Sequence, residues 1–154
     1  GTGTESVKKS QPEELPEKFE SGTQNMNGIS GLKAGVDFVK NRGIKNIYNH
    51  EYKLAKHLFN GLANNRKVIT YNKSFDYGKV APVVSFNIDG VYSEDLVAKL
   101  NKYGIMTRGG LHCSPLAHTT MNTIENGTVR VVPGAFNTIN DINYLLNVIR
   151  KLTN

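Results

Sequence analysis

The spacing of apolar side chains divides the chain into a patternless start followed by helical and extended runs. Residues 1–25 are rich in Gly, Thr, Ser, Pro, Glu and Lys and carry no hydrophobic period, so they read as an extended arm or loop. From Ile29 to Val39 apolar residues fall at Ile29, Leu32, Val36 and Val39, with Phe38 alongside, a helical spacing that ends near Asn41-Arg42-Gly43. A second helix is predicted from about Ile44 to Ala63, with Ile47, Tyr48, Leu54, Leu58 and Leu62 toward one side and Lys53, Lys56 and His57 nearer solvent.

Two runs rich in β-branched and aromatic residues, 67–71 and 82–88, are bounded by turn signals and predict strands. Ser93 can cap a helix running to Tyr103, with Gly104 as its stop. Residues 105–107 and 128–132 predict two further strands, separated by a long polar loop that holds Cys113. Thr138 with Asp141 three residues on forms a capping box for a closing helix carrying Ile142, Leu145, Leu146, Ile149 and Leu152. Segregated short strands with helices on one side describe an α+β sandwich, not an alternating parallel sheet. No internal repeat is evident.

A length of 154 residues fits one domain, and 38% hydrophobic against 21% charged residues is enough for a modest core. No apolar run approaches the roughly 20 residues that cross a bilayer, and no signal-peptide pattern opens the chain, so a soluble protein is expected. The lone Cys113 excludes an intramolecular disulfide framework and a multi-thiolate zinc site, and points to a reducing, cytoplasmic setting. A net charge of +6 raises nucleic-acid binding, but the Lys and Arg residues are scattered and no recognition signature accompanies them.

The densest chemical segment is Arg108-Gly109-Gly110-Leu111-His112-Cys113-Ser114-Pro115-Leu116-Ala117-His118. Two glycines allow a sharp turn or close backbone approach, and an Arg and two His surround one thiol, company that favours the nucleophilic thiolate. Composition alone favours an inert buried cysteine, whereas the Gly/His/Pro loop argues against one. Arg130 sits in a mostly apolar strand; it is either a salt-bridge partner or a bidentate clamp for a substrate carboxylate. Gly1 to Thr4 and residues 20–25 could each cradle a phosphate, although neither is a Walker loop and ordinary turns explain both. His50 and His57, two helical turns apart without carboxylates to complete a metal site, read as solvated.

At the Cys113 loop the chain resembles the C-terminal part of pyridoxal-phosphate-dependent enzymes of the class-V aminotransferase fold, in the cysteine desulfurase and selenocysteine lyase branch. The resemblance is carried by Arg108 to His118, Gly127-Thr128-Val129-Arg130 and Gly134-Ala135-Phe136-Asn137-Thr138, and upstream by residues 19–25 followed by Gly28-Ile29-Ser30-Gly31-Leu32. It implies the C-terminal small domain of a fold-type I transferase, a short, mainly antiparallel sheet covered by helices. Residues 1–25 would be an arm on the large-domain side, 26–43 an interdomain helix and 44–154 the small domain.

It further implies that Cys113 attacks the sulfur, or selenium, of an amino acid to form a persulfide and release alanine, while Arg130 grips the carboxylate and Arg108 and His112 tune the loop. Thr23, Gly3 and Thr4 would reach the phosphate of a cofactor shared across a homodimer, and an acceptor protein would take the sulfur. An aminotransferase or other lyase of the same fold, with Cys113 incidental, stays open, as does a non-enzymatic basic binding module. The family's Schiff-base lysine follows a histidine, and no His-Lys pair occurs in this chain. The sequence is therefore expected to be the C-terminal portion of a longer polypeptide, inactive alone. Lys18 before Phe19-Glu20 and Thr119-Thr120 after His118 depart from the commonest family pattern. The reading requires Cys113 and Arg130 to share one side of the molecule.

Overall fold

A computed structural model describes residues 5, 7–20, 22–72 and 74–154. The chain divides into two compact units, 1–44 and 45–154. In the first, the described residues before Asn25 form turns and bends without helix or strand. Helix α1, Met26–Arg42, then begins where the Asn25 side chain accepts the Gly28 N–H at 2.9 Å. It ends at Gly43, whose φ of 82° suits glycine and whose N–H reaches Val39 O. No residue of α1 is buried within this unit.

The second unit is built on α2 (Ile44–Ala63), β1 (Val68–Thr70), β2 (Val84–Ile88), α3 (Ser93–Asn101), α4 (Pro115–Thr120), β3 (Val129–Val131) and α5 (Ile139–Thr153). The strands form one antiparallel sheet in the order β1-β2-β3. Val68 pairs with Ile88, Ile69 with Asn87, Ser85 with Arg130 and Phe86 with Val129. Strand alternation therefore sorts the two faces. Val84, Phe86, Ile88 and Val129 are buried in one core with Leu54, Leu58 and Leu62 of α2, Leu96 and Leu100 of α3, and Ile142, Leu145 and Ile149 of α5. Ser85, Asn87, Ile69 and Arg130 occupy the opposite face.

The helical patterns are satisfied as their periodicity requires: Lys53, Lys56 and His57 are exposed while Leu54, Leu58 and Leu62 are buried. The capping box at α5 forms in both directions, with Thr138 N–H on Asp141 Oδ2 at 2.7 Å and Asp141 N–H on Thr138 Oγ1 at 3.4 Å. Between β1 and β2, Phe75 and Tyr77 join Tyr48 and Tyr52 of α2 in an aromatic cluster. Tyr52 donates its hydroxyl to Phe75 O at 2.8 Å, and Tyr48 to Val80 O at 3.1 Å.

Four local expectations change. Residues 105–107 are not a strand; only Arg108 bridges Arg130 in antiparallel fashion, so the sheet stops at three strands. The long polar loop contains a short helix, α4, started by Pro115 at a position where a missing N–H costs nothing. Ser93 does not cap α3: the cap is Tyr92, and the Ser93 hydroxyl instead accepts the Gly110 N–H at 3.0 Å. His50 and His57 are not merely solvated, because their Nε2 atoms meet Asn137 O at 2.9 Å and Asn143 Oδ1 at 2.7 Å, tying α2 to the start of α5.

Candidate functional site

The thiol loop grows out of the sheet edge. Arg130 N–H donates to Arg108 O at 2.8 Å and Thr128 N–H to Gly110 O at 3.1 Å, so residues 108–110 run alongside the start of β3. Three backbones converge beneath the loop. A methyl group on Gly127 would lie 2.6 Å from Gly110 Cα, and one on Gly109 would lie 2.9 Å from Ser93 O, so these contacts admit glycine alone. The loop then turns through two consecutive non-glycine residues in the left-handed region, His112 at φ 51° and Cys113 at φ 60°. Each costs about 1–2 kcal/mol in that conformation, which leaves Cys113 exposed at the apex.

The charges around the thiol come from both segments. Arg108 Nη2 donates to Cys113 Sγ at 3.8 Å. His112 Nε2 lies 2.9 Å from Thr128 O, an atom that can only accept, so Nε2 carries the proton and Nδ1 is the bare nitrogen. That Nδ1 is buried without a partner among the described residues. Burial holds the His112 pKa below its ordinary value against the opposing Thr128 bond, and the charges of Arg130, His118 and Arg108 depress it further. The ring is thus a neutral imidazole at neutral pH. Its neighbour His118, 5.8 Å away between ring centroids, is buried and shares a 2.8 Å bond with Thr123 Oγ1.

Beside the loop, the open face of the sheet holds a concavity of about 370 Å³. His112 and Ser114, which flank Cys113, line it together with Arg130, Ser85 and Tyr71. No Asp or Glu contributes to this wall, and Arg130 has no ion-pair partner among the described residues. An unpaired guanidinium in a largely apolar recess attracts an anion, and its planar fork matches a carboxylate. Burial also raises the Tyr71 pKa, keeping its hydroxyl protonated.

Four of the residues singled out from sequence, Cys113, Arg108, His112 and Arg130, thus lie around one loop and the strand edge that supports it. Thr23 belongs to the first unit, where it is exposed just ahead of α1. Gly3 and Thr4 lie outside the described residues. Tyr71, Ser85 and Thr123 were not picked out by sequence reasoning. Only the alternation of β2, which turns Ser85 away from the apolar set Val84, Phe86 and Ile88, could have signalled one of them.

Known proteins resemble this chain in sequence and fold. A probable cysteine desulfurase of Pyrococcus abyssi is 35% identical over 140 residues, covering 90% of this chain and 34% of the relative. A second, from Synechocystis, is 32% identical over 133 residues, 86% of this chain and 31% of the relative. The chain therefore spans about a third of the length of these curated relatives. Among solved structures, the apo cysteine desulfurase of Thermococcus onnurineus superposes with a TM-score of 0.80 at 34% identity over 94% of this chain and 34% of that one. The desulfurase CsdA of Escherichia coli gives 0.77 at 25% identity, over 92% of this chain and 34% of that one. The profile describing aminotransferase class-V matches residues 1–145, both units at once, and the chain belongs to that family.

Proposed function

We propose that this chain is the C-terminal part of a pyridoxal-phosphate-dependent cysteine desulfurase that takes sulfur, or selenium, from cysteine or selenocysteine and releases alanine. In this reading residues 1–25 are an arm on the large-domain side, 26–43 an interdomain helix and 44–154 the small domain. The observation that carries it is the exposed Cys113 between His112 and Ser114, which both line a recess whose single cation among the described residues is Arg130, with Arg108 Nη2 3.8 Å from the sulfur.

Arg130 holds the substrate carboxylate, which turns the substrate sulfur toward the loop. The Cys113 thiolate attacks that sulfur: a new S–S bond forms, the carbon–sulfur bond breaks with its electron pair going to carbon, and protonation of that carbon yields alanine. Arg108 stabilises the attacking sulfur through its donated N–H. Neutral His112 adds no further positive charge beside it, and its Thr128 bond fixes the base of the loop.

Pyridoxal phosphate, when bound, supplies the electron sink that makes the carbon–sulfur bond labile. The exposed Thr23 hydroxyl has no hydrogen bond among the described residues and is a fit donor for a phosphate oxygen, a role that Gly3 and Thr4 would share. The Schiff-base lysine, the partner subunit of a homodimer and the protein that accepts the sulfur would come from outside this chain.

The test is product analysis in the longer protein. Cysteine should give alanine and sulfide, and Cys113→Ala should abolish sulfide release while leaving the cofactor absorbance intact. Unchanged sulfide release in Cys113→Ala removes Cys113 from the reaction, and a keto-acid product would assign transamination instead.

A further inference from the structure

The sheet face that carries Arg130 continues into a second recess. Ser85 is the cross-strand partner of Arg130, and Asn87 and Asp89 follow it at intervals of two along β2 and its extension. The Asp89 N–H still bonds Lys67 O at 2.9 Å, so the alternation persists to that point. At about 3.4 Å per residue, Asp89 lies about 13–14 Å along the strand from Ser85.

A concavity of about 480 Å³ opens there, lined by Asn87, Asp89, Tyr92, Asn122 and Asn126 among others. Tyr71, Met121 and Thr123 line both recesses, so the two adjoin at a waist formed by these side chains. The two ends differ in sign. The Arg130 end has a guanidinium and no carboxylate, while the far end has the Asp89 carboxylate and no Lys or Arg among the described residues. Asn87 sharpens the contrast: its Nδ2 donates to Gly127 O at 2.9 Å, and its Oδ1 is buried without a partner among the described residues. An acceptor left in that state calls for a donor.

We propose that the far recess is a subsite for a cationic, hydrogen-bond-donating group on the distal end of an S-substituted cysteine. The carboxylate of such a ligand rests on Arg130, its thioether crosses the waist between Tyr71 and Met121, and its terminal ammonium meets Asp89 and the Asn87 side chain. Aromatic faces at Tyr71 and Tyr92 suit the same charge. The inference rests on Arg130 as the carboxylate anchor, and extends the site to ligands longer than cysteine itself.

Two probes of equal length isolate the charge, S-(2-aminoethyl)-cysteine and S-propyl-cysteine, each titrated into the isotope-labelled longer protein in its cofactor-free form and followed by NMR. The aminoethyl compound should shift the Asn87 side-chain amide and the backbone of residues 89–90, and bind about fivefold more tightly than the propyl compound. Asp89→Asn, at an exposed position, should erase that preference without weakening the propyl compound, and Arg130→Gln should weaken both. Equal affinities, a preference that survives in Asp89→Asn, or no shift at Asn87 would each overturn the subsite. Cys113→Ala should leave both titrations unchanged, so loss of desulfuration and loss of this subsite are read separately.

Discussion

Gly127→Ala is the substitution that most directly tests how the thiol loop is held. Gly127 has φ 58° and is buried, and the new methyl carbon would meet Gly110 Cα at 2.6 Å, Ser93 Oγ at 2.7 Å and Gly110 C at 2.8 Å. Two costs combine. The left-handed conformation costs an alanine about 1–2 kcal/mol, and forcing a methyl against backbone that cannot swing aside adds about 1–3 kcal/mol. Against these, a less flexible unfolded chain returns about 0.4–1 kcal/mol. The net loss is about 1–5 kcal/mol, a large fraction of the 5–15 kcal/mol typical of a folded domain.

Gly104→Ala is the control, since Gly104 has φ 72° but open space around its Cα. It should cost about 0–1.6 kcal/mol, the left-handed term less the return from the stiffer unfolded chain. Urea unfolding of both variants, followed by circular dichroism, reads the difference as a shift in midpoint at constant slope. Relief of the Gly127 contact must push Gly110 away, so the rate of Cys113 alkylation should change in Gly127→Ala and not in Gly104→Ala. Equal midpoints for the two variants would refute the view that three backbones are locked together under the loop.

Two further outcomes concern the loop itself. Arg108→Gln removes the cation 3.8 Å from Cys113 Sγ and should slow alkylation of the thiol by iodoacetamide about two- to fivefold at neutral pH, the range expected of an exposed charge contact; an unchanged rate would deny Arg108 that part. His112 has a lowered pKa in the folded chain, so as pH falls below about 6.5 the unfolded chain takes up a proton that the folded one resists. Stability should therefore fall through that window toward the folded pKa and level off below it, and His112→Asn should flatten this part of a urea-midpoint profile. A wild-type profile with no slope there would contradict the burial of His112.

Periodicity made α2 and α5 readable because each helix buries one continuous stripe, and Leu54, Leu58 and Leu62 or Ile142, Leu145 and Ile149 record that stripe residue by residue. The capping box at Thr138 and Asp141 is equally local, its partners being three residues apart. Elsewhere a local signal pointed to a partner that tertiary contact replaced. The Ser93 hydroxyl, a fitting cap by sequence, is taken by Gly110 seventeen residues away. The run 105–107 has strand composition, but beside it only Arg108 meets β3. His50 and His57 look like surface side chains on α2 until α5 arrives with Asn137 and Asn143.

The amino-acid order by itself determined the helices other than α4, the three strands that survived, the loop that carries the thiol and the family to which the chain belongs. These depend on interactions within a few residues or on motifs written contiguously. What the tertiary structure alone decided is which of the chemically suited residues meet. The antiparallel pairing of Ser85 with Arg130 sets a guanidinium on the sheet face away from the helices, and the contact of Gly127 with Gly110 and Ser93 fixes the loop above it. The recesses at Arg130 and Asp89 depend on strand register and on residues at and just after α4, such as His118 and Met121, that line them beside the sheet. Those are contacts between distant positions, and no window of sequence contains both sides of them.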